Sequence, residues 1–282
     1  HTCAVRTNGT AVCWGPDYRG ETKAPAGTFT QVAAGIEFSC GLKTDGTIVC
    51  WGEPGFGITN PPGGVFTQIE GGGDHACALR DDNIVVCWGY ADGYGGDIEP
   101  VFTPGIPTQI SGGGLHSCFL ERNGSVACWG YNYYGEAPAQ IPGAFRQISA
   151  GQYHTCGIKS DSAVACWGDN ESGQVTPPAG AFRQIDAGDM HTCGVKIDGS
   201  LACWGAGTTN TGHMWNYGQS MAPTGKFTQV GSGRFHSCGT KTDGTVNCWG
   251  SNEWDVLTNI PTADMFRQID VGYMHTCGVK ND

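Results

Sequence analysis

Charge is scarce in this sequence, and positive charge scarcest. Only 15% of the 282 residues are charged, with 15 Lys and Arg against 26 Asp and Glu, a formal net charge of −11. That balance argues against a nucleic-acid partner, because neutralising a phosphate backbone needs a basic surface. Long hydrophobic runs are missing too. No stretch approaches the roughly 20 apolar residues of a membrane helix, so no membrane insertion is expected. The sequence has no serine in a nucleophile elbow, no phosphate-cradling loop ahead of a helix, and no H-E-x-x-H. It has no C-x-x-C and no C-x-x-C-H, which removes the usual zinc and haem spacings. No segment keeps a 3.6-residue period, which excludes a helical solenoid. These absences predict a protein without catalytic residues, metal or cofactor, and not an enzyme.

Glycine (47 residues), cysteine (15) and tryptophan (9) are abundant instead. Glycine without the period of three of collagen, combined with many aromatics, suits an all-β protein with tight turns rather than a disordered chain. Fourteen of the cysteines form seven pairs ten residues apart: Cys3 with Cys13, Cys40 with Cys50, Cys77 with Cys87, Cys118 with Cys128, Cys156 with Cys166, Cys193 with Cys203 and Cys238 with Cys248. Cys277 has no second member in the sequence.

The segment inside each pair alternates and carries a turn, as in Cys40-Gly-Leu-Lys-Thr-Asp-Gly-Thr-Ile-Val-Cys50. It reads as a β-hairpin with a three-residue loop whose glycine takes the left-handed conformation. Asn83 and Ser162 replace that glycine in two hairpins, and the serine carries mild strain. With this loop, Lys43 closes against Thr47, Leu42 faces Ile48, Gly41 faces Val49, and Cys40 lands opposite Cys50. There the Cα atoms approach to roughly 4.5 Å, within reach of a disulfide. Seven intra-hairpin disulfides are expected, each stabilising by about 2–3 kcal/mol in the chain-entropy model. They imply an oxidising compartment, hence a secreted, extracellular or cell-surface protein.

The hairpin belongs to a longer unit, displayed by Phe182-Arg-Gln-Ile-Asp-Ala-Gly-Asp-Met-His-Thr-Cys-Gly-Val-Lys-Ile-Asp-Gly-Ser-Leu-Ala-Cys-Trp-Gly205. Successive Cys-Trp-Gly elements lie 37, 37, 41, 38, 37 and 45 residues apart. A period near 40 with three or four short strands per unit is the signature of a β-propeller, one blade per unit. Cys166-Trp-Gly-Asp-Asn-Glu-Ser-Gly-Gln174 and Ala187-Gly-Asp-Met-His-Thr-Cys193 resemble the repeat of the regulator of chromosome condensation family, whose units carry W-G-x-N-x-x-G-Q and A-G-x-x-H-S/T. The resemblance covers essentially the whole chain. It implies a seven-bladed propeller, in a family that includes a nuclear nucleotide-exchange factor and a secreted bacterial inhibitor protein of β-lactamases. The W-G-x-N-x-x-G-Q element is eroded at 13–20, 50–57, 87–96 and 248–255, and the cysteine pair is additional to the motif. Both features, with the acidity, place the chain nearer the secreted members.

Counting from each His-Thr-Cys position gives a single propeller domain over 1–282, with seven whole units and the start of another at 275–282. Closure is expected from the Phe266-Arg-Gln-Ile strand joining the N-terminal hairpin Thr2–Trp14. Because 275–282 repeats a strand that His1–Thr7 already supplies and stops inside a hairpin, the parent chain is expected to be longer at both ends. The missing partner of Cys277 would then lie beyond Asp282.

Seven histidines (His1, His75, His116, His154, His191, His236 and His275) each stand two residues before a hairpin cysteine, and Phe38 fills the eighth slot. A single active site needs no such repetition, so each imidazole is expected to tie its own blade's backbone together. The Cys-Trp-Gly tryptophans read as aromatic filler between blades. Strand parity puts the Gly-x-x-His turns and the loops after Trp-Gly at the same end of the blades. These loops carry the candidate binding residues Tyr18, Phe56, Tyr90, Tyr94, Tyr131, Tyr133, Tyr134, Trp215, Tyr217 and Trp254, and the turns add Tyr153, Phe235 and Tyr273, along with Leu115, Met190 and Met274. Tyrosine and tryptophan dominate binding hot spots, and insertions in repeats mark binding faces. A protein or glycan partner is therefore expected at this face, with other domains or copies in an extracellular assembly such as an adhesin or filament. A secreted inhibitor of a hydrolase is an alternative, and a lectin or carbohydrate-active enzyme is another. Sequons occur at Asn8, Asn123 and Asn170, candidates for glycosylation.

Overall fold

Each of the seven Cys-to-Cys segments folds as an antiparallel hairpin in the expected register. In the computed structural model Leu42 pairs with Ile48, Gly41 with Val49 and Cys40 with Cys50, and Lys43 N–H donates to Thr47 C=O at 2.8 Å. All seven expected disulfides form. Cys3 is bonded to Cys13, Cys40 to Cys50, Cys77 to Cys87, Cys118 to Cys128, Cys156 to Cys166, Cys193 to Cys203 and Cys238 to Cys248, with Cα atoms 4.0–4.1 Å apart. The loop position is left-handed whatever occupies it: φ is +82° at Gly46, +68° at Asn83 and +70° at Ser162. The loop acid contributes directly, since Asp45 Oδ1 accepts from both the backbone N–H (3.0 Å) and the hydroxyl (2.7 Å) of Thr47.

The structure describes residues 1–15, 17–90, 105–213, 215–253, 257 and 264–280, without the side chains of 56, 212 and 213. No α-helix occurs among them, and no helix is long and apolar enough to cross a membrane. The chain divides into two compact units, one comprising His1–Tyr133 and Ala137–Gly143, the other Tyr134–Glu136 and Ala144–Asp282. The first unit holds the hairpin of Thr2–Val5 with Ala11–Trp14 and three three-stranded sheets. Their strands are Phe29–Ala34, Phe38–Lys43 and Ile48–Gly52; then Phe66–Gly71, His75–Arg80 and Val85–Gly89; then Pro107–Gly112, His116–Glu121 and Val126–Gly130. In the second unit the sheets are built from Phe145–Ala150, His154–Lys159 and Val164–Gly168; from Phe182–Ala187, His191–Lys196 and Leu201–Gly205; and from Phe227–Ser232, His236–Lys241 and Val246–Gly250. It also contains an inserted hairpin, Asn210–His213 with Asn216–Tyr217, and a last two-stranded sheet, Phe266–Val271 with Thr276–Lys280.

That last sheet corrects one expectation. Repeat counting sends Phe266–Val271 to the N-terminal hairpin; it pairs instead with Thr276–Lys280, in the register that every other first and second strand shares. The reason is local. The turn joining these strands is the same short Gly-x-x-His turn found elsewhere, so its closure costs least entropy. Among the described residues this sheet has two strands where six others have three, and its second strand shows the consequence. Val279 is 42% exposed, whereas its counterpart Val195 is fully buried.

The histidines correct a second expectation. They hold the structure together, but five of the seven reach forward to the next repeat. Nε2 shares a hydrogen bond with a Ser or Thr hydroxyl one repeat on: His1 with Ser39 (2.6 Å), His75 with Ser117 (2.6 Å), His154 with Thr192 (2.8 Å), His191 with Ser237 (2.7 Å) and His236 with Thr276 (3.1 Å). The same hydroxyl lies 3.2–3.5 Å from the sulfur of the first cysteine of the preceding hairpin. The repeat without a histidine, at Phe38, is followed by the one repeat with no hydroxyl, at Ala76. Both residues are buried in one apolar cluster. Replacing both members of a buried hydrogen bond by apolar groups is nearly neutral, while replacing one leaves the other unsatisfied.

A second forward link comes from the glutamine of Phe-x-Gln. Gln184 and Gln229 each clasp a backbone position of the next first strand, donating to its C=O and accepting from its N–H, at Val230 (2.6 and 2.8 Å) and Ile269 (2.7 and 2.9 Å). Gln147 does the same at Ile185 (2.9 and 3.2 Å). The tryptophans reach back: the indole N–H of Trp51, Trp88, Trp167, Trp204 and Trp249 donates to the loop carbonyl of Glu21, Ile58, Glu136, Gln174 and Gln219, at 2.8–3.1 Å.

The paired exception at Phe38 and Ala76 generates a double-mutant test. Ser117→Ala, which orphans His75 Nε2, is expected to lower the unfolding free energy by about 1–3 kcal/mol. Phe38→His and Ala76→Ser each destabilise alone, and together recover about 1 kcal/mol or more of the summed loss. Urea unfolding with the disulfides intact measures all four proteins.

Candidate binding face

The loops after Cys-Trp-Gly are fastened to the Gly-x-x-His turns by one repeated backbone bond. The N–H of the residue following Trp-Gly donates to the carbonyl of the residue before the histidine: Glu53 to Glu37, Tyr90 to Asp74, Tyr131 to Leu115, Asp169 to Tyr153, Ala206 to Met190 and Ser251 to Phe235, at 2.7–2.9 Å. The Trp-Gly glycine makes the bond possible. Its φ is +98° to +109° in six copies, from Gly52 to Gly250, and at Gly168 a Cβ would stand 2.5 Å from the Tyr153 carbonyl oxygen. Only glycine fits such an approach.

Inside the loops, polar side chains replace regular structure. Gln174 Oε1 accepts from Ser172 N–H (2.9 Å) and its amide donates to Asp169 (2.6 Å), while Asn170 accepts from Val175 N–H (3.2 Å). The copy at 13–20, eroded in sequence, keeps this architecture with acids. Asp17 accepts from Thr22 N–H (3.4 Å), and the buried Glu21 accepts from Tyr18 and Arg19 N–H (3.0 and 2.6 Å). Glu136 plays the same part for Tyr134 N–H at 2.8 Å. Burial nevertheless raises its carboxyl above the usual range.

The candidate aromatics fall into groups. In the first unit Tyr131 and Tyr133 stack with ring centres 6.4 Å apart, and Tyr133 and Tyr18 are strongly exposed. Tyr90 is half-buried. In the second unit, loop and turn aromatics meet: Tyr134 against Tyr153 (5.7 Å), Trp215 against Phe235 (5.3 Å) and Tyr217 against Phe235 (4.9 Å). Tyr273 joins through Arg234, whose guanidinium lies 4.7 Å from its ring centre, 4.5 Å from Phe235 and 5.4 Å from Trp215. Tyr94, Trp254 and the side chain of Phe56 lie outside the described residues. Asn8 and Asn123 occupy exposed hairpin tips, where each side chain accepts from its own loop, and Asn170 is exposed in a Trp-Gly loop. Among the described residues no group of three or more His, Cys, Asp or Glu could hold a metal ion.

The sequence reading missed Asp189 and Arg234, adjacent turn positions whose Oδ2 and Nε lie 3.4 Å apart. Burial raises the Asp189 carboxyl to about 6, against the pull of Arg234. The signal for both was variation: each occupies a turn position that differs in every other repeat of its unit. Asp186, one strand end away, is pushed up to about 7 by burial, with Asp270 adding and the Ser232 N–H opposing. The histidines shift the other way. Burial lowers His75, His154, His236 and His275 to about 4 and His191 to about 3.

Fold and face together define a disulfide-stapled β-propeller, blades of three antiparallel strands with an aromatic loop end. The chain belongs to the family of the regulator of chromosome condensation (RCC1) repeat, whose model matches residues 29–58, 66–95, 108–136, 145–174 and 227–253, about half the chain. No curated protein matches it. Among solved structures it is similar to the CRINKLY WD40 ectodomain of the Arabidopsis thaliana receptor kinase ACR4 (27% identity, 92% of this chain and 93% of that one, TM-score 0.69). It is also similar to the ectodomain of the Physcomitrella patens receptor kinase CR4 (26%, 90% and 71%, TM-score 0.69). Prp20p from Saccharomyces cerevisiae, with binding properties toward Gsp1p and histones, shares the fold at 18% identity (90% and 83%, TM-score 0.69).

The opposed shifts set a pH dependence of stability. Below 6.5 the unfolded chain takes up protons that the native histidines refuse until about pH 4, so their contribution, full above pH 6.5, is lost as pH falls. Asp186 acts oppositely: its native carboxyl binds a proton below about 7 that the unfolded one releases above 3.8, so it penalises folding as pH rises. The five strongly lowered histidines outnumber Asp186 and Asp189, the two strongly raised acids, and the melting temperature is expected to fall between pH 6.5 and 4.5. Asp186→Asn is expected to stabilise most above pH 7 and to make no difference below pH 4. Calorimetric scans of both proteins across this range provide the check.

Proposed function

We propose that this protein is an extracellular, non-catalytic binding module that presents its aromatic loop face to a protein or glycan. The observation that carries the reading is the fastening of loops to turns, which sets Tyr134 against Tyr153 and packs Trp215 and Tyr217 on Phe235, with Arg234 joining Phe235 to Tyr273. Rigid aromatics on a fixed scaffold give large contact area at small entropic cost, which is what an interface needs. Seven disulfides support an oxidising, extracellular setting. Two plant receptor-kinase ectodomains of similar fold support the same setting. The acidity of the chain speaks against a nucleic-acid partner.

Two sets of substitutions test the reading by surface plasmon resonance against cell-wall digests and secreted protein from the producing organism. Replacing Tyr134, Trp215 and Tyr273 by alanine is expected to weaken binding about tenfold or more, as loss of hot-spot residues does. Replacing the hairpin-tip acids Asp45, Asp198 and Asp243 at the opposite end of the strands is expected to change it less than about twofold, in line with exposed charges. Equal sensitivity of the two ends would refute the face as the binding surface.

A further inference from the structure

The repeats agree where they hold each other and differ at the residue after glycine in the Gly-x-x-His turn. In the first unit that residue is Ile36, Gly73 and Gly114; in the second it is Gln152, Asp189, Arg234 and Tyr273. Backbone bonds set the latter turns side by side, Gln152 N–H to Asp189 C=O (3.4 Å), Asp189 N–H to Gly233 C=O (3.3 Å) and Arg234 N–H to Tyr273 C=O (3.2 Å). An amide, a carboxylate, a guanidinium and a phenol thus follow one another along one rim. The turn does not require them, since isoleucine and glycine close the same turn in the first unit.

Two of these groups face each other across adjacent turns. Asp189 Oδ2 and Arg234 Nε are buried and form an ion pair 3.4 Å apart, with no geometric hydrogen bond to any described residue. The rest of each side chain stays partly exposed, 26% for Arg234 and 15% for Asp189, so the pair keeps hydrogen-bonding capacity to offer at the surface. Aromatic planes flank them. Trp215 sits at the tip of the inserted hairpin with φ +72°, a conformation rare for a bulky residue. Its carbonyl is held by the Gln219 amide at 2.6 Å, and 40% of its surface is exposed.

We propose that this rim, with Trp215 beside it, binds a neutral carbohydrate. This rests on the reading of the loop face as a binding surface and names its ligand class. Aromatic walls with a few convergent polar groups are the usual composition of a small-ligand site. The donor and acceptor of Arg234 and Asp189 match adjacent sugar hydroxyls, and the flat apolar face of a pyranose lies against Trp215 or Tyr273. Charge selects against other ligands. The pair sums to zero, and a net charge of −11 repels acidic polymers.

Affinity electrophoresis through native gels containing mannan, xyloglucan, laminarin or amylose, with polygalacturonate as the acidic comparison, tests this. At least one neutral polysaccharide is expected to retard the wild-type protein and Asp198→Asn equally, because Asp198 lies at a hairpin tip at the opposite end of the strands. Trp215→Ala and Arg234→Met are each expected to raise the polysaccharide concentration needed for that retardation tenfold or more. Asp189→Asn, which keeps the side-chain shape, is expected to weaken it as well, with unchanged far-ultraviolet circular dichroism and melting temperature confirming the fold of each variant. Retardation by no neutral polysaccharide, by polygalacturonate alone, or to the same extent in all variants would overturn the proposal. Should that happen while the Tyr134, Trp215 and Tyr273 substitutions still abolish capture of a secreted protein, the binding face stands and its ligand is a protein; if neither assay responds to them, both readings fail.

Discussion

A three-stranded sheet of sixteen or so residues buries too little by itself to be stable, and each repeat here depends on the one that follows. The dependence is concentrated in a few hydrogen bonds made at buried or half-buried positions: a histidine to a hydroxyl, a glutamine amide to a backbone edge. Low dielectric makes these bonds strong when complete and expensive when half made. That asymmetry accounts for Phe38 and Ala76. At Phe38 and Ala76 the chain loses the bond as a pair, in an apolar cluster, rather than leaving one member there alone. It also accounts for the neutrality of the histidines, since a charged imidazole would have to be desolvated with only one neutral partner. The disulfides act at another level. They fix the register inside a hairpin, and only a hairpin in register places the hydroxyl against the preceding sulfur and imidazole.

With folding carried by so few positions, the turns and loops at one end of the strands are released from structural duty. The residue after Trp-Gly and the residue before histidine are joined through backbone atoms alone, so their side chains vary without loss. Variation there has a direction in the second unit. Gln152, Asp189, Arg234 and Tyr273 are larger and more polar than the turn requires, and the inserted hairpin brings Trp215 to them. A site built on such a scaffold is positioned to within the tolerance of the sheets beneath it, which a flexible loop could not provide.

Much of this was legible in the residues. Hairpin register is arithmetic once the loop length and its left-handed residue are recognised, so cysteine pairing followed without any long-range information. Repeat length and motif spacing led to the propeller by the same route. The links between repeats were harder, because their partners lie 38 to 46 residues apart and differ in chemical type. An imidazole gives no hint of whether its partner is its own strand or the next. The coincidence of Phe38 with Ala76 was present in the sequence, but it acquires meaning only once position 38 is known to face position 76. The pairing of Phe266–Val271 went the other way, because global closure was weighed above the short turn that decides it locally.

The candidate site was half legible for a related reason. A search for aromatic residues finds hot spots by composition, and it found Trp215, Phe235 and Tyr273. It passed over Asp189 and Arg234 because a charged residue in a surface turn is ordinarily solvated and unremarked. Their partial burial is a product of the aromatic neighbours: Trp215, Phe235 and Tyr273 lie around the guanidinium, and its Nε is covered. The aromatics and the ion pair therefore form one feature. Aromatics alone would make an adhesive but indifferent surface, and an exposed ion pair alone would be screened and weak. Enclosed together, they set a long ion pair beside flat apolar walls, and the ligand selection proposed for this rim of loops rests on that combination.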